Sequence, residues 1–152
     1  MSTSFTYFFN NPKIFSILAD DINNTLGCHL APYEQDKSAL FCRFLSMELS
    51  FGDNEGYVND RELDYQNYKY NIEIRIPEPD NDLLCIALQT VASIAYALYA
   101  RLDISQGMLV YDMQTLLAKY EKNNNGNWIN MMNGETIEFP EHVNYISGIA
   151  WK

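Results

Sequence analysis

Tyr68-Lys69-Tyr70-Asn71-Ile72-Glu73-Ile74-Arg75-Ile76 changes from apolar to polar at every step. A period of two puts Tyr68, Tyr70, Ile72, Ile74 and Ile76 on one side of an extended chain, and Lys69, Asn71, Glu73 and Arg75 on the other. A helix would scatter both sets around its circumference. The stretch therefore reads as a strand with one buried face, the pattern of an antiparallel sheet. Pro77 and Pro79 end it.

Downstream, Asp80 and Asp82 offer capping oxygens to a helix. Leu84, Leu88, Val91, Ala95, Leu98 and Leu102 form its stripe, widened by Ile86, Ala87 and Ile94. Polar residues such as Gln89, Ser93 and Arg101 break the run, so it reads as a buried helix and not a membrane span. Met108–Tyr111 reads as a short buried strand and Gln114–Tyr120 as a short helix, followed by a turn-rich break at Asn123–Asn127. Asn133-Gly134 predicts a hairpin joining Trp128–Met132 to Glu135–Phe139, and Val143–Trp151 reads as a last strand.

Upstream, Asn11-Pro12 reads as a helix start. Ile14, Ile17, Leu18, Ile22 and Leu26 form its stripe and Gly27 its stop. Residues 28–37 read as a loop containing Pro32. Between Ser38 and Phe51, Leu40, Cys42 and Phe44 alternate, then Met47, Leu49 and Phe51. The phase changes near Leu45 and Ser46, where a bulge or tight turn is expected. Residues 52–66 read as a long polar loop, and Met1–Asn10 lacks the charge and apolar pattern of a signal peptide. The order predicts an α+β class: one domain over residues 1–152, mainly an antiparallel sheet packed against helices.

The chain has 152 residues, 47% of them hydrophobic and 20% charged, a globular balance. Twenty acids against ten bases give a net charge of −10. Such a field repels nucleic acid and anionic membrane and attracts a basic partner, although acidity alone also serves solubility. Cys28, Cys42 and Cys85 form no CxxC pair, and His29 and His142 have no ligand spacing, so no metal or cofactor is expected. The cysteines suit a reducing, cytoplasmic compartment.

No phosphate loop, dinucleotide fingerprint or nucleophile elbow is present. Asp53, Glu55 and Asp64 occupy positions of a calcium loop. That loop needs glycine at its sixth position, where Val58 stands, and its fifth position is Tyr57. The same segment concentrates acids: Glu48, Asp53, Glu55, Asp60, Glu62 and Asp64 face only Arg61, with Tyr57, Tyr65 and Tyr68 among or after them. Acids that steer and tyrosines that anchor suit a surface meeting a basic protein. On that reading the contact residues are Asp53, Glu55, Tyr57, Asp60, Glu62, Asp64, Tyr65 and Tyr68. The plainer alternative is a solvated loop with core tyrosines.

Leu26-Gly27, Asn59-Asp60, Tyr65 to Tyr68, the alanine-rich helix and the run from Met108 to Tyr120 carry a resemblance over residues 14–120. In pattern and order the chain resembles small bacterial immunity proteins of contact-dependent growth inhibition and related polymorphic toxin systems. The resemblance implies a non-catalytic cytoplasmic protein. Its partner would be a cognate basic toxin domain, often a nuclease, with no nucleic acid or membrane as partner; residues 121–152 lie outside the likeness. Two other readings stay open. One is a small enzyme or ligand-binding domain using Cys28, His29 or scattered carboxylates. The other is a self-associating adaptor that buries the Asp82–Leu102 helix in a homodimer rather than acting as a monomer.

Overall fold

The computed structural model describes residues 2–41, 45–52, 59, 63–77, 90–91, 94–95, 97–98, 101–113, 115–122 and 128–131. Its frame is an eight-stranded antiparallel sheet. The strands are β1 (Ser2–Phe9), β2 (Ala31–Glu34), β3 (Lys37–Phe41), β4 (Ser46–Phe51), β5 (Tyr70–Pro77), β6 (Gln106–Tyr111), β7 (Thr115–Lys122) and β8 (Trp128–Met131). Across the sheet they run β2-β3-β4-β5-β1-β6-β7-β8. One helix, α1 (Phe15–Leu26), carries the chain from central β1 to edge strand β2. Strands β2 to β5 then step back toward β1. Helical residues between Thr90 and Arg101 lie between β5 and β6, which flank β1 on opposite sides. The architecture is mixed α and β, mostly sheet.

The expected strand is β5, with Tyr70, Ile72, Ile74 and Ile76 buried and Arg75 exposed. Its apolar side shares the main core with Phe5, Tyr7 and Phe9 of β1, Met47 and Leu49 of β4, and Leu109 of β6. Leu18, Ala19 and Ile22 of α1 cover this face, joined by helical Val91, Ala95 and Leu98 at the expected spacing. Fully burying one such aliphatic side chain is worth about 1.5–3 kcal/mol, so the face, not helix propensity, holds α1 in place.

Several expectations are corrected. Residues 2–9 form the central strand, with Phe5 to Phe9 all buried. Asn11 is not the helix cap: α1 begins at Phe15, and the Asn11 side chain accepts from Lys13 N and donates to the Asp103 carbonyl, at 2.9 Å each. Ile14 and Ile17 do not join the buried stripe; they are 65% and 50% exposed. Gly27 ends α1 as expected, in the left-handed region at φ 66°. Residues 28–37 are not simply loop, because they contain β2, which turns through Gln35 and Asp36 into β3. The phase change near Leu45 is a hairpin between β3 and β4, with Phe41 paired to Ser46.

The predicted helix at Gln114–Tyr120 is strand β7. Asp112 and Met113 both take positive φ, 47° and 59°, and turn the chain back along β6. The turn is held by Asp112, whose N–H donates to the Ser4 carbonyl and whose Oδ1 accepts from Ser4 N, each at 2.8 Å. Trp128–Met131 is a strand, as expected. The start of the Asp82 helix, the Asn123–Asn127 break, the Asn133-Gly134 hairpin and the 143–151 strand lie outside the described residues. Among the described residues, no helix is long and apolar enough to cross a membrane.

Candidate functional site

Because pairing is antiparallel and side chains alternate, the register writes out the sheet's second face row by row. One row reads Glu34, Lys37, Ser50, Asn71, Phe8, Met108. The next reads Ala31, Ala39, Glu48, Glu73, Thr6, Val110. A third reads Phe41, Ser46, Arg75, Ser4. Within β2–β6, each row is apolar or neutral on β1 and β6, and its charged residues stand on β2–β5.

The β1–β6 half is sealed. Phe8, Met108, Val110, Leu116 and Leu63 pack with Tyr65 and Tyr68, which stand on and just after a single 3-10 turn, Tyr65–Asn67. Phe8 meets the two tyrosine rings at centroid distances of 5.0 and 6.3 Å. The Tyr65 hydroxyl donates to the Met113 carbonyl at 2.8 Å, tying the turn before β7 to this cluster.

The β2–β5 half shows a different surface. Phe41 is 74% and Tyr33 50% exposed, an unusual cost for large rings on a sheet face. Glu48 and Glu73 stand directly opposite each other on β4 and β5. Glu48 is held in one orientation: its Oε2 accepts from the Tyr33 hydroxyl at 2.6 Å and its Oε1 from Ser50 Oγ at 3.3 Å. The bond to Glu48 pushes the Tyr33 phenol up to about 12. Lys37 Nζ lies 4.0 Å from Glu48 Oε1, a weak ion pair. Arg75 sends both Nε and Nη2 to Glu73 Oε1, at 3.2 and 2.8 Å. Glu34 is exposed and, among the described residues, makes no ion pair.

The contact residues expected from sequence are placed as follows. Asp53, Glu55, Tyr57, Asp60 and Glu62 lie outside the described residues. Asp64 is half-buried, its carboxylate accepting from Asn67 Nδ2 at 2.7 Å. Tyr65 and Tyr68 are 5% and 3% exposed, so their rings brace the sealed half and are not presented to solvent. Of the two described acids of the run, Glu48 and Asp64, Glu48 lands beside the exposed Tyr33 ring. Tyr33 and Phe41 escaped the sequence reading, yet Phe41 carried a signal: it is a large ring out of phase with Leu40 and Cys42.

Two shallow clefts flank the other end of β5. One, of about 340 Å³, is lined by Lys13, Phe15, Asp36, Phe51, Lys69 and Tyr70. The other, of about 460 Å³, is lined by Asn10, Asn67, Lys69, Asp103 and Ser105 among others. The Tyr70 hydroxyl donates to the Lys13 carbonyl at 2.7 Å, and burial pushes its pKa up, with Asp36 adding to the shift. The Cys28 thiol is near Asn23 Oδ1, at 3.7 Å, and burial raises its pKa, against the thiolate a nucleophile needs. Among the described residues, no group of three or more His, Cys, Asp and Glu is placed to hold a metal.

Comparison with family models, with curated proteins and with solved structures finds no match to this chain.

Proposed function

We propose that this chain is a binding protein of the immunity type, which neutralises a cognate basic toxin domain, a nuclease, delivered by a neighbouring bacterium. The observation that carries the reading is the β2–β5 face. It offers exposed Tyr33 and Phe41 beside Glu34, Glu48 and Glu73, on a chain whose net charge is −10. A nuclease needs a basic groove for phosphates, and an acidic protein competes for that groove. Long-range charge speeds the encounter, and desolvated rings slow the escape.

The test is association with a toxin domain encoded next to this chain's gene. Glu34→Lys with Glu48→Gln leaves Tyr33 an acceptor, removes two negative charges and adds one positive charge. The double variant is expected to slow association about tenfold at low salt, to flatten its salt dependence, and to weaken protection of cells expressing the toxin domain. Unchanged association and protection would overturn this face as the contact.

A further inference from the structure

We infer that the β2–β5 face reads arginine in its partner, seating a guanidinium on Glu48 and Glu73 against the exposed rings of Tyr33 and Phe41. The inference rests on the binding role proposed above and names the chemistry of the partner at that same surface.

Like charges directly opposite on neighbouring strands destabilise a sheet. The chain keeps Glu48 opposite Glu73 and relieves the pair only in part. Arg75 directs both Nε and Nη2 to one oxygen, Glu73 Oε1, and Glu73 Oε2 accepts no hydrogen bond among the described residues. Lys37 reaches Glu48 only at 4.0 Å. A further cation on this face therefore meets two carboxylates whose charge is incompletely matched. Both are about one-third exposed, so they can be reached.

Arginine fits better than lysine for two geometric reasons. Tyr33 and Ser50 hold the Glu48 carboxylate in place, so a planar fork meets an acceptor already oriented and little ordering entropy is lost. Phe41 stands one pleat step from Ala39, the residue paired with Glu48, on the same face. A guanidinium can lie over a ring while its N–H groups bond a carboxylate in its own plane; a compact ammonium cannot do both. Docking is expected across the face and not along the edge of β2, because Pro32 has no N–H to offer a new strand.

The probes are two peptides of equal length and charge, one arginine-rich and one lysine-rich, titrated into the full chain and followed by amide NMR and calorimetry. The arginine peptide is expected to bind about tenfold more tightly, with shifts at Tyr33, Phe41, Glu48 and Glu73. Phe41→Ser removes an exposed ring without touching the core and is expected to bring the arginine-to-lysine ratio close to one. Glu48→Gln is expected to weaken both peptides. Equal affinity for the two peptides, shifts elsewhere, or a ratio untouched by Phe41→Ser would overturn the inference. A ratio that collapses in Phe41→Ser while toxin protection stays intact supports the arginine site and removes only this face as the toxin contact.

Discussion

One face of the sheet is built in two ways. Over β1 and β6, Phe8, Met108 and Val110 lie under Tyr65 and Tyr68 and are closed from water. Over β2 to β5, the same rows continue with Glu48, Glu73 and Arg75, and the large rings there, Tyr33 and Phe41, are left exposed. Register is continuous across the boundary, so the two halves share one backbone frame. What separates them is whether an aromatic side chain is spent inside or held outside. Rings of the first kind stabilise the chain alone; rings of the second kind gain their burial only from a partner.

The largest test of this contrast is a pair of truncations. Phe8→Ala removes a fully buried ring and is expected to cost about 3–5 kcal/mol by chemical denaturation. Phe41→Ser, on the other half, is expected to stay within about 0.5 kcal/mol of the parent. Similar losses at both positions would show that Phe41 is packed after all, and the division into a structural and a binding half would fail.

The contrast also explains which parts of the chain could be read from its residues. Strand β5 has one wet and one dry side, so its period survives in the sequence. Strand β1 is dry on both sides from Phe5 to Phe9, and a run with no polar alternation carries no period to find. Strand β2 fails for the opposite reason: all four residues are exposed, so it has no apolar beat either. After Thr115, strand β7 continues Leu-Leu-Ala-Lys, good helix formers, and tertiary pairing with β6 overrides them. The turn before it uses Asp112 and Met113 at positive φ, where glycine would have announced it. At the candidate site, Glu48 was legible as part of an acidic run. Tyr33 and Phe41 were not, because exposure is a property of what the fold leaves uncovered.

Thr6 sits on the boundary between the halves, paired to Glu73 on one side and Val110 on the other. It is 2% exposed, and its hydroxyl has no hydrogen-bond partner among the described residues. A buried polar group without a partner costs free energy that a methyl of similar shape does not. Thr6→Val is therefore expected to stabilise the protein by about 1 kcal/mol, read as a higher denaturation midpoint with an unchanged slope. A loss of stability would mean that the hydroxyl is satisfied and that the sealed half begins beyond β1.

The smallest effect concerns the exposed half alone. Tyr33 donates to Glu48, and its pKa rises from 10 to about 12 chiefly through that bond. The folded value lies above the unfolded one, so the interaction contributes fully below pH 10 and fades as pH rises through about 12. The phenol is half-exposed and solvent screens the pair, so little of the shift reaches global stability. The local readout is cleaner. At pH 10, the Tyr33 ring resonances are expected to report a neutral phenol, where an unperturbed tyrosine is half ionised. Glu48→Gln is expected to return Tyr33 toward half ionisation at that pH. A Tyr33 that titrates near its ordinary value in the parent chain would mean that Glu48 is not held as the structure has it. The oriented carboxylate on which arginine recognition depends would then be missing from the face.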